Sequence, residues 1–326
     1  MKKSVLTLFA VTIIAASLPA NAFAWDDVGH KITAYVAWQR MTPATRENVI
    51  RVLRQAPEDA QLSTFYALYG PEPEETRKRE FFELVASWAD IVRDRSFETR
   101  YKKYHKSNWH YDDIFWRQVD GKAQMVTGME EGGQGIKRLI EFDKELRDAS
   151  TPDKEKAIAI AWLMHIGGDL HQPLHTSGRV TDLEPKGDQG GNLFLLSPQG
   201  TPRADQLNLH WFWDSIVSRS MPPRGEICGR QYVEQTADRM MKRFPFSKLQ
   251  PRLEIGRYEE WKKETFDLNT TQVFRSDMKR NQIPTAAYRK NAFLVAEQQL
   301  VLAGYRLGET LNSIFGSMQP PTRAAR

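Results

Sequence analysis

The segment Thr285–Phe315 limits the fold more than any other. Ala292, Val295, Ala296, Gln299, Leu302, Ala303, Arg306 and Leu307 recur at three- and four-residue spacing and mark one long inward face, with Pro284 shortly before it. A helix with such a face must bury it against other elements. Segments with the same period are Arg46–Arg54, Gly135–Arg147, Lys154–Leu170 and Glu226–Arg243. Alternating patterns are scarce; Asn192–Leu196, set between glycines, reads as one arm of a short β-hairpin. Pro71–Glu80 reads as a surface connection, Arg179–Gly191 as a polar, glycine-rich loop, and Ser247–Asp277, with Trp261, as surface helix and loop. No repeat and no clear linker interrupts the pattern, so the expectation is one large all-α domain.

Both ends lie outside that domain. Lys2 and Lys3, the apolar run Val5–Leu18 and the small residues of Ala22-Phe23-Ala24 have the layout of a secretory signal cleaved after Ala24. The apolar run is short of the roughly 20 residues that span a bilayer, so no membrane anchor is expected. The domain is expected over 25–318, with Gln319–Arg326 as a flexible tail. Hydrophobic residues make up 40% of the chain and nine are Trp, which excludes a disordered protein. The net charge of +5 includes Lys2 and Lys3, so the mature chain is only mildly basic, which suits an anionic ligand without identifying one. Cys228 is the single cysteine. It excludes an intramolecular disulfide and a cysteine-rich zinc knuckle, and fits a bacterial periplasm or medium. Any metal would fall to His and Asp.

The chemistry concentrates in His165-Ile-Gly-Gly-Asp169-Leu-His171-Gln-Pro-Leu-His175. His165 and Asp169 are four apart and share one helix face. Pro173 breaks the ladder and lets His175 approach from another direction. His210 and Asp214 repeat the four-residue spacing. These pairs lie in tryptophan-rich, apolar surroundings, where acids and imidazoles are costly unless paired or metal-bound, and their nitrogen and oxygen donors suit zinc. His105 lies in a polar stretch and reads as solvated, and His171 as a structural hydrogen-bonding residue. Asp26 and Asp27 read as acids at a helix start.

Taken together, Trp25-Asp-Asp-Val-Gly-His30, Trp88-Ala-Asp90, Trp109-His110-Tyr111, His165 to His175, Gly190-Gly-Asn192, His210 to Asp214, and Ala303-Gly-Tyr-Arg-Leu307 with Leu311-Asn312 run in order over nearly the whole mature chain. This ordered set resembles the S1/P1 nuclease family, whose helical fold is shared with bacterial zinc-dependent phospholipases C. The resemblance implies three zinc ions. One would be held by Asp90, His110, His165 and Asp169, and its neighbour by the Trp25 α-amine and carbonyl, His30 and the bridging Asp169. The third would be held by His175, His210 and Asp214. The phospholipases carry Glu where this chain has Asp214, which favours the nuclease branch.

The resemblance further implies hydrolysis of single-stranded DNA, RNA and 3′-nucleotides to 5′-phosphorylated products by a metal-bound hydroxide. Asp113, three residues after His110, matches an acid that orients the attacking water. Arg93, three after Asp90, matches an arginine that stabilises phosphate charge. Tyr111 reads either as a face that stacks on a base or as core packing beside His110, and Asn192 is placed to hydrogen-bond a base. The expected protein is an exported monomer acting on single-stranded nucleic acid or nucleotides. The competing readings are a zinc-dependent phospholipase C and a non-catalytic periplasmic zinc-binding protein.

Overall fold

A computed structural model of the chain describes residues 25–129, 132–223 and 225–316. The expected signal and tail lie outside these residues. The architecture is all-α with a small β element, as the periodicity predicts. Thirteen α-helices occur among the described residues. They are α1 (Asp27–Arg40), α2 (Pro43–Leu53), α3 (Glu74–Ala86), α4 (Trp88–Ile91), α5 (Glu98–Tyr104), α6 (Gly135–Arg147), α7 (Asp153–Asp169), α8 (Leu209–Asp214), α9 (Ile216–Ser220), α10 (Gly229–Arg243), α11 (Phe246–Leu249), α12 (Tyr258–Leu268) and α13 (Ala286–Phe315).

The 30-residue α13 is the spine. The Thr285 side chain accepts from the Tyr288 N–H at 3.1 Å and caps its start. Seven of the eight residues on its expected inward face are buried; Val295 is half-buried. Helix α1 lies against it at unusually close range. A Cβ at Gly304 would fall 2.5 Å from Val36 Cβ, and one at Gly308 would fall 2.8 Å from the Ala37 carbonyl oxygen. Two apolar clusters form around this pair. One joins Ala34, Ala37 and Trp38 of α1 to α2, α3, α6, α7 and the last turns of α13. The other joins Trp25, Ile32 and Val36 to α8, α9, α10 and α13 as far as Tyr305.

The β element is a three-stranded sheet in the order β2-β1-β3, from β1 (Ile114–Val119), β2 (Lys122–Met125) and β3 (Ser177–Arg179). β1 and β2 form the hairpin; Asp120 and Gly121 between them have φ of 49° and 78°, the two left-handed residues such a tight turn requires. β3 runs parallel to β1, with Ile114 opposite Ser177. That register sets the residues before β1 beside those before β3.

Three expectations are corrected. The hairpin is at 114–125, not at Asn192–Leu196, which contributes only an isolated bridge between Leu195 and Asn208. Pro71–Glu80 is not wholly a connection: α3 starts at Glu74, with Pro73 at its cap, a position where proline is tolerated. Ser247–Asp277 is not a surface segment. Trp261, Phe266, Val273 and Phe274 are buried, and Trp261 Nε1 donates to the Leu253 carbonyl at 3.0 Å.

Candidate metal centre and catalytic site

Helix α7 ends in a fully buried His165 and Asp169 on one face. His165 Nδ1 donates to the Ala86 carbonyl at 2.7 Å. In a neutral ring this leaves the Nε2 lone pair facing inward, 3.3 Å from Asp169 Oδ2 and 3.7 Å from Asp90 Oδ1. His110 joins through Nδ1, 3.1 Å from Asp169 Oδ2. On the other side, α1 brings His30, whose ring stacks on His165 with centroids 4.0 Å apart. Its Nε2 lies 3.2 Å from Asp169 Oδ1. The two oxygens of Asp169 thus face different imidazoles. A Cβ at Gly168 would fall 3.1 Å from His30 Nδ1, so glycine there admits the ring.

The second group follows the helix stop at Pro173. A 3-10 turn, Pro173–Thr176, carries His175. His175 Nδ1 donates to the His110 carbonyl at 2.6 Å, and Asp112 N–H donates to the His175 carbonyl at 2.9 Å, so the two groups share a seam. His210 Nδ1 donates to the Gly190 carbonyl at 2.8 Å. The remaining nitrogens of His175 and His210 lie 3.8 and 3.4 Å from the Asp214 carboxylate. Gln172 Nε2 donates to Asp214 Oδ1 at 2.7 Å and orients it.

Burial dominates the electrostatics of both groups. Burial pushes the Asp169 and Asp214 carboxyls well above the ordinary range, and pushes His110 and His175 well below theirs. His30 and His165 are lowered for the same reason. His30 Nε2, Asp169 Oδ1, His175 Nε2 and Asp214 Oδ2 are buried and find no hydrogen-bond partner among the described residues. Among the described residues, three three-residue subsets have donor atoms close enough to share an ion: His30, Asp90 and His165; His110, His165 and Asp169; and His175, His210 and Asp214. Imidazole and carboxylate donors of this kind fit a divalent metal, zinc included.

Trp25 is fully buried, and its Nε1 donates to the Gly168 carbonyl at 3.0 Å. The next N–H, of Asp26, donates to the Asp214 carbonyl at 3.0 Å. The chain start of the described region therefore runs between the ends of α7 and α8. The Asp26 side chain caps α1 by accepting from Gly29 N–H at 3.0 Å.

Arg93 Nη2 pairs with Asp90 Oδ1 at 3.0 Å, which sets a fixed positive charge at the edge of the first group. Asp113 is half-buried immediately before β1. Burial, then the charges of Asp188 and Asp112, push its carboxyl well above the usual range, against Lys262 and the Ser177 N–H. Tyr111 packs over Gly133, where a Cβ would fall 2.7 Å from its ring. Asn192 is half-buried, and its Nδ2 donates to the Gln189 carbonyl at 2.9 Å. His171 points away from the metal-candidate groups; Nδ1 donates to Gly167 O and Nε2 accepts from the buried Arg306 at 2.8 Å. His105, expected in solvent, is half-buried and stacks on Tyr101.

Several supporting residues escape a reading of the sequence. Gln172 and Asn269 are fully buried, and Asn269 Nδ2 donates to the Pro173 carbonyl at 2.6 Å. Neither carries a local signal. Asn208 does: an Asn just before a helical pair is a cap signal.

A model of the family described as S1/P1 Nuclease matches residues 25–316. Among characterised proteins, Endonuclease 5 of Arabidopsis thaliana is 27% identical over 180 residues, 49% of this chain and 51% of that protein. The chain thus spans about half the length of this relative. No helix among the described residues is long and apolar enough to cross a membrane. The family match runs from the buried Trp25 to the end of α13 and encloses every side chain of both groups: the chain belongs to the S1/P1 nuclease family.

Proposed function

We propose that this chain is an exported nuclease with residues 25–318 as its catalytic domain. It hydrolyses phosphodiester bonds of single-stranded DNA and RNA, and 3′-nucleotides, to 5′-phosphorylated products. The observation that carries this reading is Asp169: a fully buried carboxylate whose two oxygens face different imidazoles, 3.2 Å from His30 and 3.1 Å from His110. Such an acid calls for positive charge on both sides.

Three zinc ions fit the donors. Asp90, His110, His165 and Asp169 would hold one, the Trp25 α-amine and carbonyl with His30 and Asp169 a second, and His175, His210 and Asp214 the third. When bound, the ions supply Lewis acidity toward the phosphate oxygens and lower the pKa of water. The chain's own side chains do the rest. Arg93 holds its guanidinium beside Asp90 and offsets phosphate charge. Asp113, once ionised, accepts a proton from the attacking water and fixes its direction. Tyr111 offers a face for base stacking and Asn192 a carboxamide for a base edge.

The test is a metal-resolved activity panel on protein starting at Trp25, assayed on single-stranded DNA, RNA, a 3′-nucleotide and phosphatidylcholine, with Asp113→Asn as control. Nucleic-acid cleavage should vanish on chelation and return with zinc. Asp113→Asn should keep its metal and lose about 10²–10⁴-fold in turnover. Headgroup release without nucleic-acid cleavage would overturn the assignment.

A further inference from the structure

The loop that carries Asn192 is built from left-handed residues: Gly187, Gln189, Gly190 and Gly191 have φ of 93°, 54°, 60° and 81°. Its outgoing end pairs with the chain entering α8. Leu196 N–H donates to the Leu207 carbonyl at 2.8 Å and Leu209 N–H to the Phe194 carbonyl at 2.9 Å. Asn208 stands between those bonds in extended geometry, φ −103° and ψ 168°. Its Oδ1 accepts from Trp211 N–H at 2.7 Å and closes the first turn of α8. Its Nδ2 donates to Asn192 Oδ1 at 3.4 Å. Asn192 cannot exchange its amide atoms to compensate for a changed partner, because its own Nδ2 already serves the Gln189 carbonyl. Gly190, between Gln189 and Asn192, accepts from His210 Nδ1.

We propose that Asn208 is a positioning residue that presents His210 and Asp214 through its oxygen and holds Asn192 through its nitrogen. The inference rests on the reading above, in which His210 and Asp214 hold an ion and Asn192 meets the substrate. Helix α8 has six residues, too few to persist on its own propensity, so its geometry depends on the cap and the packing around it. His210 lies two positions beyond the cap and Asp214 ends the same helix. A loose first turn would spread the donors of the third ion. Asparagine is required because one side chain must both accept and donate: aspartate keeps the acceptor alone, and alanine neither.

The full mature chain is stripped of metal and titrated with zinc by calorimetry, then assayed on single-stranded DNA, for wild type, Asn208→Ala, Asn208→Asp and Asn192→Ala. Asn208→Ala should weaken one zinc site about tenfold, the scale seen when a supporting hydrogen bond is lost. Asn208→Asp should hold zinc within about twofold of wild type and raise KM as much as Asn192→Ala does, with little change in kcat. The aspartate variant keeps the cap, so the KM comparison stands even if the alanine variant does not accumulate. Wild-type zinc affinity in Asn208→Ala, or wild-type KM in Asn208→Asp, would overturn the proposal. If the wild type cleaves no nucleic acid, that result counts against the nuclease reading alone. The zinc titrations of the two Asn208 variants then decide the positioning role by themselves.

Discussion

The group around Asp169 draws its side chains from α1, α4, the 3-10 turn ending at Trp109 and the end of α7, whereas the group around Asp214 comes from one short turn and one six-residue helix. In the first, the α1–α7–α13 packing sets the distances: His30 sits where it does because Gly304 and Gly308 let α1 approach α13 and Gly168 leaves room for its ring. In the second, no long helix is involved. Carbonyls of His110 and Gly190 and the amide of Gln172 hold His175, His210 and Asp214. The first group leans mainly on helix packing, with one hydrogen bond from His165 to the Ala86 carbonyl, and the second mainly on hydrogen bonds, so they should fail in different ways.

The largest effect should come from Asp169→Asn. It removes the carboxylate that faces His30 on one side and His110 and His165 on the other. Zinc content should fall from three to one and activity to background, while the Asp214 group keeps its ion. Elemental analysis of the purified variant decides it; loss of all three ions would show that the two groups are not independent.

Gly190→Ala should do the reverse. The position has φ of 60°, and a Cβ there would fall 2.4 Å from the Leu174 carbonyl oxygen. The shift needed to relieve this moves the acceptor of His210. We expect about 10–100-fold weaker binding of one zinc, with the other two unchanged, by competitive chelator titration. Equal weakening of all three sites would show that the Asp214 group is not held separately from the Asp169 group. Gln172→Leu removes only the donor to Asp214 and leaves the ligands in place, so the expected loss at the same site is smaller, about tenfold or less.

The contrast was only partly legible in the sequence. The His–Asp spacings stand out because four residues make one helical turn, and α13, α7 and α6 because their apolar periods are long. Helix α1 does not, since residues from Gly29 to Trp38 are almost all buried and show little contrast between faces. The hairpin at 114–125 had a signal in Asp120-Gly121, but its strands are mostly exposed or half-buried rather than alternating. Gln172 and Asn269 look like ordinary polar residues in sequence, and Arg306 stands out there only by its place on the inward face of α13. Only the tertiary fold makes them supports, as when Arg306 anchors His171 at the end of α7.

Both groups should respond alike to pH, and this effect is the mildest. Without metal, burial raises the Asp169 and Asp214 carboxyls, so they retain protons to higher pH than in the unfolded chain. This contribution to stability is full below about pH 4 and is lost as pH rises through the raised values. The buried imidazoles act oppositely: their contribution is present above about pH 6.5 and lost as pH falls. Metal displaces protons from the raised carboxyls, so zinc affinity rises with pH. The zinc-induced increase in Tm should therefore grow between about pH 4.5 and 7; a constant increase would show that the bound ions displace no protons.

The proposed set of three ions uses Trp25 as the start of the mature chain. In the proposed reading Trp25 supplies an α-amine once the Ala24–Trp25 bond is cut, since an amide nitrogen is a poor donor. The direct test is anomalous-scattering crystallography at the zinc edge on protein beginning at Trp25 and on protein with one alanine added before it. The account predicts three zinc peaks in the first, two of them bridged by Asp169, and two peaks in the second, with the one beside His30 missing. Three peaks in both, or no peak shared through Asp169, would contradict it.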